Sequence, residues 1–166
     1  SMAHDTLLDI TEGYAYPWKF RLVKLGTSGW SAGEFINFDQ NRIVFRLADI
    51  ILLRAECRVR LGNNEGAIAD LNTIRERANA ELYHSSEYGG DLRYAIFKER
   101  EKELLMEGCR WYDVIRNEYY KTELYGGFRN VSKQDILDGV FFNAVDNNEF
   151  SENPLARQNT YWLKRM

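Results

Sequence analysis

A chain of 166 residues, 45% apolar and 28% charged, is long enough for one domain with a real core. Its formal charge of -3 gives no electrostatic reason to expect nucleic acid or an anionic membrane as a partner. No run approaches the ~20 apolar residues of a membrane span.

The start, Ser1-Met2-Ala3-His4, has neither a basic n-region nor an apolar h-region. Ser1-Met2 reads as a cloning remnant, so the chain is expected to be an excised piece of a longer secreted protein. Residues 1–41 lack helical period. Tyr14 to Leu25 partly alternates apolar and polar residues, which suits an extended segment. Gly26-Thr-Ser-Gly-Trp-Ser-Ala-Gly33 has the composition of a loop.

A helix is expected from about Arg42 to Leu61. Val44, Leu47, Ala48, Ile51, Ala55 and Val59 line one face at helical spacing. Arg42, Arg46, Asp49, Glu56 and Arg60 fall on the other. Gly62 suits the positive-φ position after a helix, and Asn63 or Asn64 can cap the next one, which runs to about Ala78. So short a turn predicts an antiparallel hairpin. Ala55, Leu61-Gly62 and Ala67 match one tetratricopeptide repeat, but no second copy follows, and a solenoid needs about three. Residues 79–90 read as a loop. A third helix, about Leu92 to Glu107, begins at an Asp91 cap and ends at Gly108. A short amphipathic helix is expected near Arg110 to Tyr120, with Trp111, Val114 and Ile115 inward. Ser132-Lys-Gln-Asp135 resembles a capping box. From Gly139 onward the sequence reads as irregular. The fold class is therefore mainly α: a tetratricopeptide-like hairpin plus further helices, between long irregular terminal segments. The organisation is one domain over 1–166, with an extended segment 1–41, a helical core 42–120 and an irregular tail 121–166.

Three constellations bear on chemistry. Glu99, Glu103 and Glu107 stand four apart on the third helix, as an acid–base pair on a sugar could. Lys98, Arg100, Lys102 and Arg110 accompany them, with Arg75 and Arg77 on the preceding helix. Such cations keep acids ionised rather than raise a pKa for proton donation, so the residues read as an ion-pair network. A cation site built only of carboxylates would lack the loop carbonyls that calcium favours. Cys57 and Cys109 have no metal-ligand spacing and read as buried free thiols; no metal or cofactor is implied. His4 and His84 form no catalytic pattern, and the glycine pairs lack a phosphate-loop lysine. Trp18, Trp30, Phe35 and Phe38 lie among glycines and polar residues, with Asn37, Asp39, Gln40 and Asn41 nearby. Those rings either pack the loops onto the helices or stack on the apolar face of a pyranose. Trp18, Trp30, Phe35 and Asn37 are the candidate ligand-binding residues.

Arg46-x-Ala48-Asp49, Leu53-x-Ala55-Glu56 and Ala67-x-x-Asp70-Leu71-Asn72-x-Ile74-Arg75-x-Arg77-Ala78 form an ordered series with Glu99-Arg100-x-x-Glu103-Leu104 and Glu107-Gly108-x-Arg110-Trp111-x-Asp113-x-x-Arg116. The tail adds Asn153-Pro-Leu-x-x-Gln158-Asn159-x-Tyr161-Trp162. Together, over about residues 42–162, they resemble the C-terminal part of the SusD/RagB family of glycan-binding surface lipoproteins of Bacteroidetes-type bacteria. The resemblance implies a non-enzymatic, lipid-anchored outer-membrane protein several hundred residues long. It would cap a SusC-like TonB-dependent transporter and deliver oligosaccharides, or in some members peptides. The family's N-terminal half, with its lipidated Cys and much of its ligand surface, is absent from this chain. Phe142-Asn-Ala-Val-Asp146 stands where relatives often have a proline-containing turn. Two rival expectations are a tetratricopeptide-like protein–protein adaptor and, from the carboxylate row alone, a glycoside hydrolase.

Overall fold

The computed structural model describes residues 23–27, 29–38 and 44–165. It is mainly helical. The chain, which the sequence suggests is one domain, gathers into two compact units that divide between Glu107 and Gly108.

The first unit begins with a hairpin of β1 (Val23–Leu25) and β2 (Phe35–Phe38), paired antiparallel with Val23 opposite Phe38. The sequence suggests an extended segment followed by a loop, and the pairing of the loop's far side was not foreseen. The connection is closed by backbone bonds from Gly26 to Glu34 and from Gly33 to Gly26, each 2.9 Å. Residues 14–22 of the expected extended segment lie outside the described residues.

Two helices follow, α1 (Leu47–Arg60) and α2 (Asn64–Arg77), and pack against each other as the expected hairpin. Gly62, at φ 78°, lets the chain reverse: its N–H donates to Val59 O at 3.0 Å and the Asn63 N–H donates to Arg58 O at 2.8 Å. These two bonds satisfy carbonyls that the helix end would leave orphaned. Asn63 then caps α2 by accepting from the Gly66 N–H at 2.9 Å. A Cβ at Gly66 would lie 2.9 Å from that Asn63 side chain, so glycine makes room for the cap. Helix α3 (Leu92–Glu103) starts on an Asp91 cap, whose side chain accepts from the Tyr94 N–H at 2.9 Å.

Ala48, Leu52 and Ala55 of α1, Ala67, Leu71 and Ile74 of α2, and Leu92, Ala95 and Ile96 of α3 form one core. Four alanines let the helices approach closely, and each fully buried leucine contributes about 1.5–3 kcal/mol. The inward stripe of α1 is rotated from the one expected. Leu52, which the expected stripe leaves out, has no exposed surface, while Leu47, expected inside, is 73% exposed. Asp49 and Glu56, expected outside, are only 5% exposed. They turn inward because arginines meet them. Arg100 of α3 donates to the Asp49 carboxylate at 2.7 Å and to its backbone carbonyl at 3.1 Å, and Arg60 pairs with Glu56 at 3.3 Å. The same rotation exposes Cys57, contrary to the expectation of a buried thiol; Cys109 is half-buried, and the two form no disulfide among the described residues.

Helix ends differ from the expected ones in informative ways. Helix α1 starts at Leu47, and residues 42–43 lie outside the described set. Helix α3 ends at Glu103, four residues early, and Met106 adopts φ 62° in the turn that follows.

In the second unit the expected helix from Arg110 to Tyr120 is two: α4 (Arg110–Arg116) and α5 (Tyr120–Glu123). Glu118, at φ 64°, breaks them apart, with Tyr119 N–H bonded to Val114 O at 3.0 Å. A ring cluster forms here: Trp111 meets Phe128 at 5.5 Å and Phe141 at 6.0 Å, and Tyr120 meets Phe141 at 5.1 Å. Helix α6 (Lys133–Asp138) begins on the capping box read from Ser132 and Asp135. The tail is less irregular than expected. It holds α7 (Asn147–Glu152), capped by Asp146, and α8 (Thr160–Leu163), capped by Asn159.

Candidate ligand-binding site and the ion-pair frame

Of the four residues expected to bind a ligand, the side chain of one is described. Trp30 lies in the 3-10 turn Gly29–Ser31 that joins β1 to β2, and its indole is wholly exposed. Gly29 (φ 64°) and Gly33 (φ 80°) bracket that turn in the left-handed region, where a side chain would be strained. The backbone of Phe35 and Asn37 belongs to β2, three and five residues past Ala32, which is bridged to Gly26. Trp18 lies outside the described residues, as do Asp39, Gln40 and Asn41. An exposed indole on a short, glycine-bounded turn gives up the burial energy that a packed ring would gain and leaves its faces free for contact.

The carboxylates of the charged helix are all engaged. Arg75 donates to Glu99 at 2.9 Å and grips Glu87 with two bonds of 2.7 and 3.0 Å. Arg75 and Glu99 are both buried. Arg77 donates to Glu103 at 2.5 Å, and Arg46 bonds both Glu103 and Glu107, the latter at 2.8 Å. Arg110, in the second unit, pairs with Glu123 at 2.5 Å. The hydrogen bonds from Arg75 hold the Glu87 carboxyl at about 2, well below its usual 4.5, with a further bond from the His84 backbone. Bonds from Glu87 and the charges of Glu87 and Glu99 raise Arg75 in return, against the opposing effect of its burial.

Several members of this frame were not assigned to it from sequence. Arg46 and Glu87 complete the chain of pairs, Asp49 meets the expected Arg100 in a second buried pair, and Asp70 is gripped by Arg54 and Arg58, each at 2.7 Å. A usable signal existed: apart from Arg54, Arg58 and Glu87, all of these stand in the ordered motif series. Glu99 and Glu103 of α3 accept from guanidiniums of Arg75, Arg46 and Arg77, and those bonds hold the helices together.

The first unit is thus a helical hairpin frame stitched by buried arginine–carboxylate pairs, with a short turn that exposes Trp30. The chain belongs to the SusD family, whose model matches residues 7–163. It is 33% identical to SusD-like protein P38 of Formosa agariphila over 124 residues, which are 69% of this chain and 24% of that protein. SusD-like protein P25 of the same organism is 45% identical over 85 residues, 48% of this chain and 16% of that protein. The crystal structure of a SusD superfamily protein from Bacteroides thetaiotaomicron superposes with a TM-score of 0.59 at 29% identity, covering 73% of this chain and 26% of that one. The chain thus spans about a quarter or less of the length of these relatives.

Proposed function

We propose that this chain is the C-terminal region of a non-enzymatic nutrient-binding protein of the outer membrane. In the full-length protein it works with a SusC-like TonB-dependent transporter in oligosaccharide uptake, with peptide as the alternative cargo. A lipid anchor on the full-length protein holds it at the cell surface. Family membership supports this reading, and so does the mainly helical frame; no helix among the described residues is long and apolar enough to cross a membrane. The observation that carries the ligand side is the wholly exposed Trp30 in its glycine-bounded turn. A stacked ring of this kind meets the C–H face of a pyranose, and amide groups such as Asn37 bond hydroxyls.

The test is intrinsic tryptophan fluorescence of the 166-residue chain titrated with a panel of maltohexaose, cellohexaose, laminarihexaose and xylohexaose. We expect at least one sugar to change the emission, and Trp30→Ala to abolish that change. Emission unaltered by every sugar would remove Trp30 as the sugar platform. Release of reducing ends from any panel member would overturn the non-enzymatic assignment.

A second reading has an observation of its own. Val44, Phe45, Leu47 and Ile50 are exposed together at the start of α1. Large apolar side chains exposed just before and at the start of a helix suit a protein–protein contact, as in a tetratricopeptide-like adaptor, or a seat for the N-terminal half of a longer parent.

A further inference from the structure

The second unit contains a cleft of about 390 Å³ between the start of α7 and the end of the chain. That volume falls within the range of small-ligand sites. Its walls are fixed by bonds of unusual reach. The Gln158 side-chain amide spans thirteen residues and clamps the backbone of Val145 from both sides, accepting from its N–H at 3.1 Å and donating to its carbonyl at 3.1 Å. The Trp162 indole N–H donates to Phe142 O at 2.7 Å, and the Trp162 backbone N–H is held by Asn159 at 3.1 Å. Arg165 lies 3.7 Å over the Tyr161 ring and donates to Tyr161 O at 3.0 Å. Side chains anchored in this way lose little freedom when a ligand arrives, so binding is not opposed by their ordering.

What remains for a ligand is a specific set of groups. Trp162 lines the cleft with its indole edge already committed. Asp146 uses one carboxylate oxygen to cap α7, at 2.9 Å from the Asn148 nitrogen. Its other oxygen and the Asn147 amide carry no hydrogen bond among the described residues, and Arg165, whose guanidinium bonds Tyr161 O at 3.0 Å and Asp135 at 3.4 Å, also lines the cleft. A wholly apolar ligand would desolvate these polar groups without partners. A simple anion would meet Asp146. A ring with an apolar C–H face and a rim of hydroxyls fits both halves of the lining.

We propose that this cleft is a sugar-ring subsite of the second unit, with Trp162 as the stacking surface and Asp146, Asn147 and Arg165 as hydroxyl partners. It rests on the glycan-binding reading above but uses no residue of the Trp30 turn. Separate readouts distinguish the two. The chain is labelled with 5-fluorotryptophan, and its four tryptophan ¹⁹F signals are assigned by single Trp→Phe variants. The four hexaoses are then titrated, with tetraglycine as the peptide probe. We expect the Trp162 signal to shift with a hexaose and not with tetraglycine. Asn147→Ala should weaken that sugar about fivefold, the factor expected for one hydrogen bond. Asn147 is exposed at the first position of α7, so its truncation leaves the frame intact. A shift of Trp30 alone would uphold the Trp30 platform and overturn the cleft. A Trp162 shift with tetraglycine only, or no Trp162 shift with any probe, would also overturn it. A Trp162 shift unchanged in affinity by both Asn147→Ala and Arg165→Ala would refute the assigned hydroxyl partners.

Discussion

Asp49→Ala should be among the most damaging single substitutions in the first unit. The Asp49 and Arg100 side chains are 7% and 3% exposed and meet at 2.7 Å, with a second bond of 3.1 Å from Arg100 to the Asp49 carbonyl. Removing the carboxylate takes an ion-pair bond away from a guanidinium buried in the three-helix core and keeps the carbonyl bond. Breaking a buried pair from one side typically costs about 3–5 kcal/mol. For a unit of this size, that is a drop of roughly 12 °C or more in Tm. The double variant Asp49→Leu/Arg100→Met removes both charges and keeps apolar volume. It should recover most of the loss, since an apolar replacement of a buried pair is often neutral or stabilising. Urea unfolding followed by circular dichroism, with the two single variants and the double variant in one cycle, gives the coupling directly. A loss below about 1 kcal/mol for Asp49→Ala would refute the claim that this pair joins α1 to α3. A double variant as unstable as the singles would show that the packing, rather than the charge, had been damaged.

Two other outcomes follow from the same frame. Arg75 depresses the Glu87 carboxyl from 4.5 to about 2, so its stabilising contribution is present above pH 4.5 and is lost as the pH falls towards 2. Glu87→Gln should flatten the fall of stability over that window in urea titrations, and an unchanged acid limb would show that the Arg75–Glu87 contact adds nothing. The exposed row Val44, Phe45, Leu47 and Ile50 predicts that the isolated chain self-associates, with a sedimentation mass above its 19.5 kDa, and that Ile50→Glu returns it to a monomer. A monomer at every concentration would remove this row as an interface between copies.

The helical hairpin was legible because its punctuation is local. Gly62 and Asn63 act within five residues of where they stand, and the cap at Asp91 and the capping box at Ser132 do the same. The rotation of α1 was not legible, because a period count treats every charge as outward. Asp49 and Glu56 turn inward on account of Arg100 and Arg60, and Arg100 lies 51 residues away. The β-hairpin escaped for a related reason: strands of three and four residues carry too few alternations to register. Helices α7 and α8, of six and four residues, show hardly more than one turn of period. Their caps, Asp146 and Asn159, were the available signal.

The residues that carry the family resemblance are, in this structure, mostly the ones that hold the frame. Arg46, Asp49, Asp70, Arg75, Arg77, Glu99, Arg100, Glu103 and Glu107 all stand in the motif series, and all are engaged in its ion pairs. In the tail, Gln158 clamps Val145, Asn159 caps α8 and Trp162 is tied to Phe142. Such a series specifies how helices and tail are stitched, and it does so through side chains whose bonds are already spent. Trp30 lies outside the series, and so do Asp146, Asn147 and Arg165 of the cleft, of which Arg165 is itself held by Tyr161 and Asp135. The proposed ligand contacts therefore fall mostly outside the residues that carry the family resemblance, and the ¹⁹F signals of Trp30 and Trp162 test the two proposed sites separately.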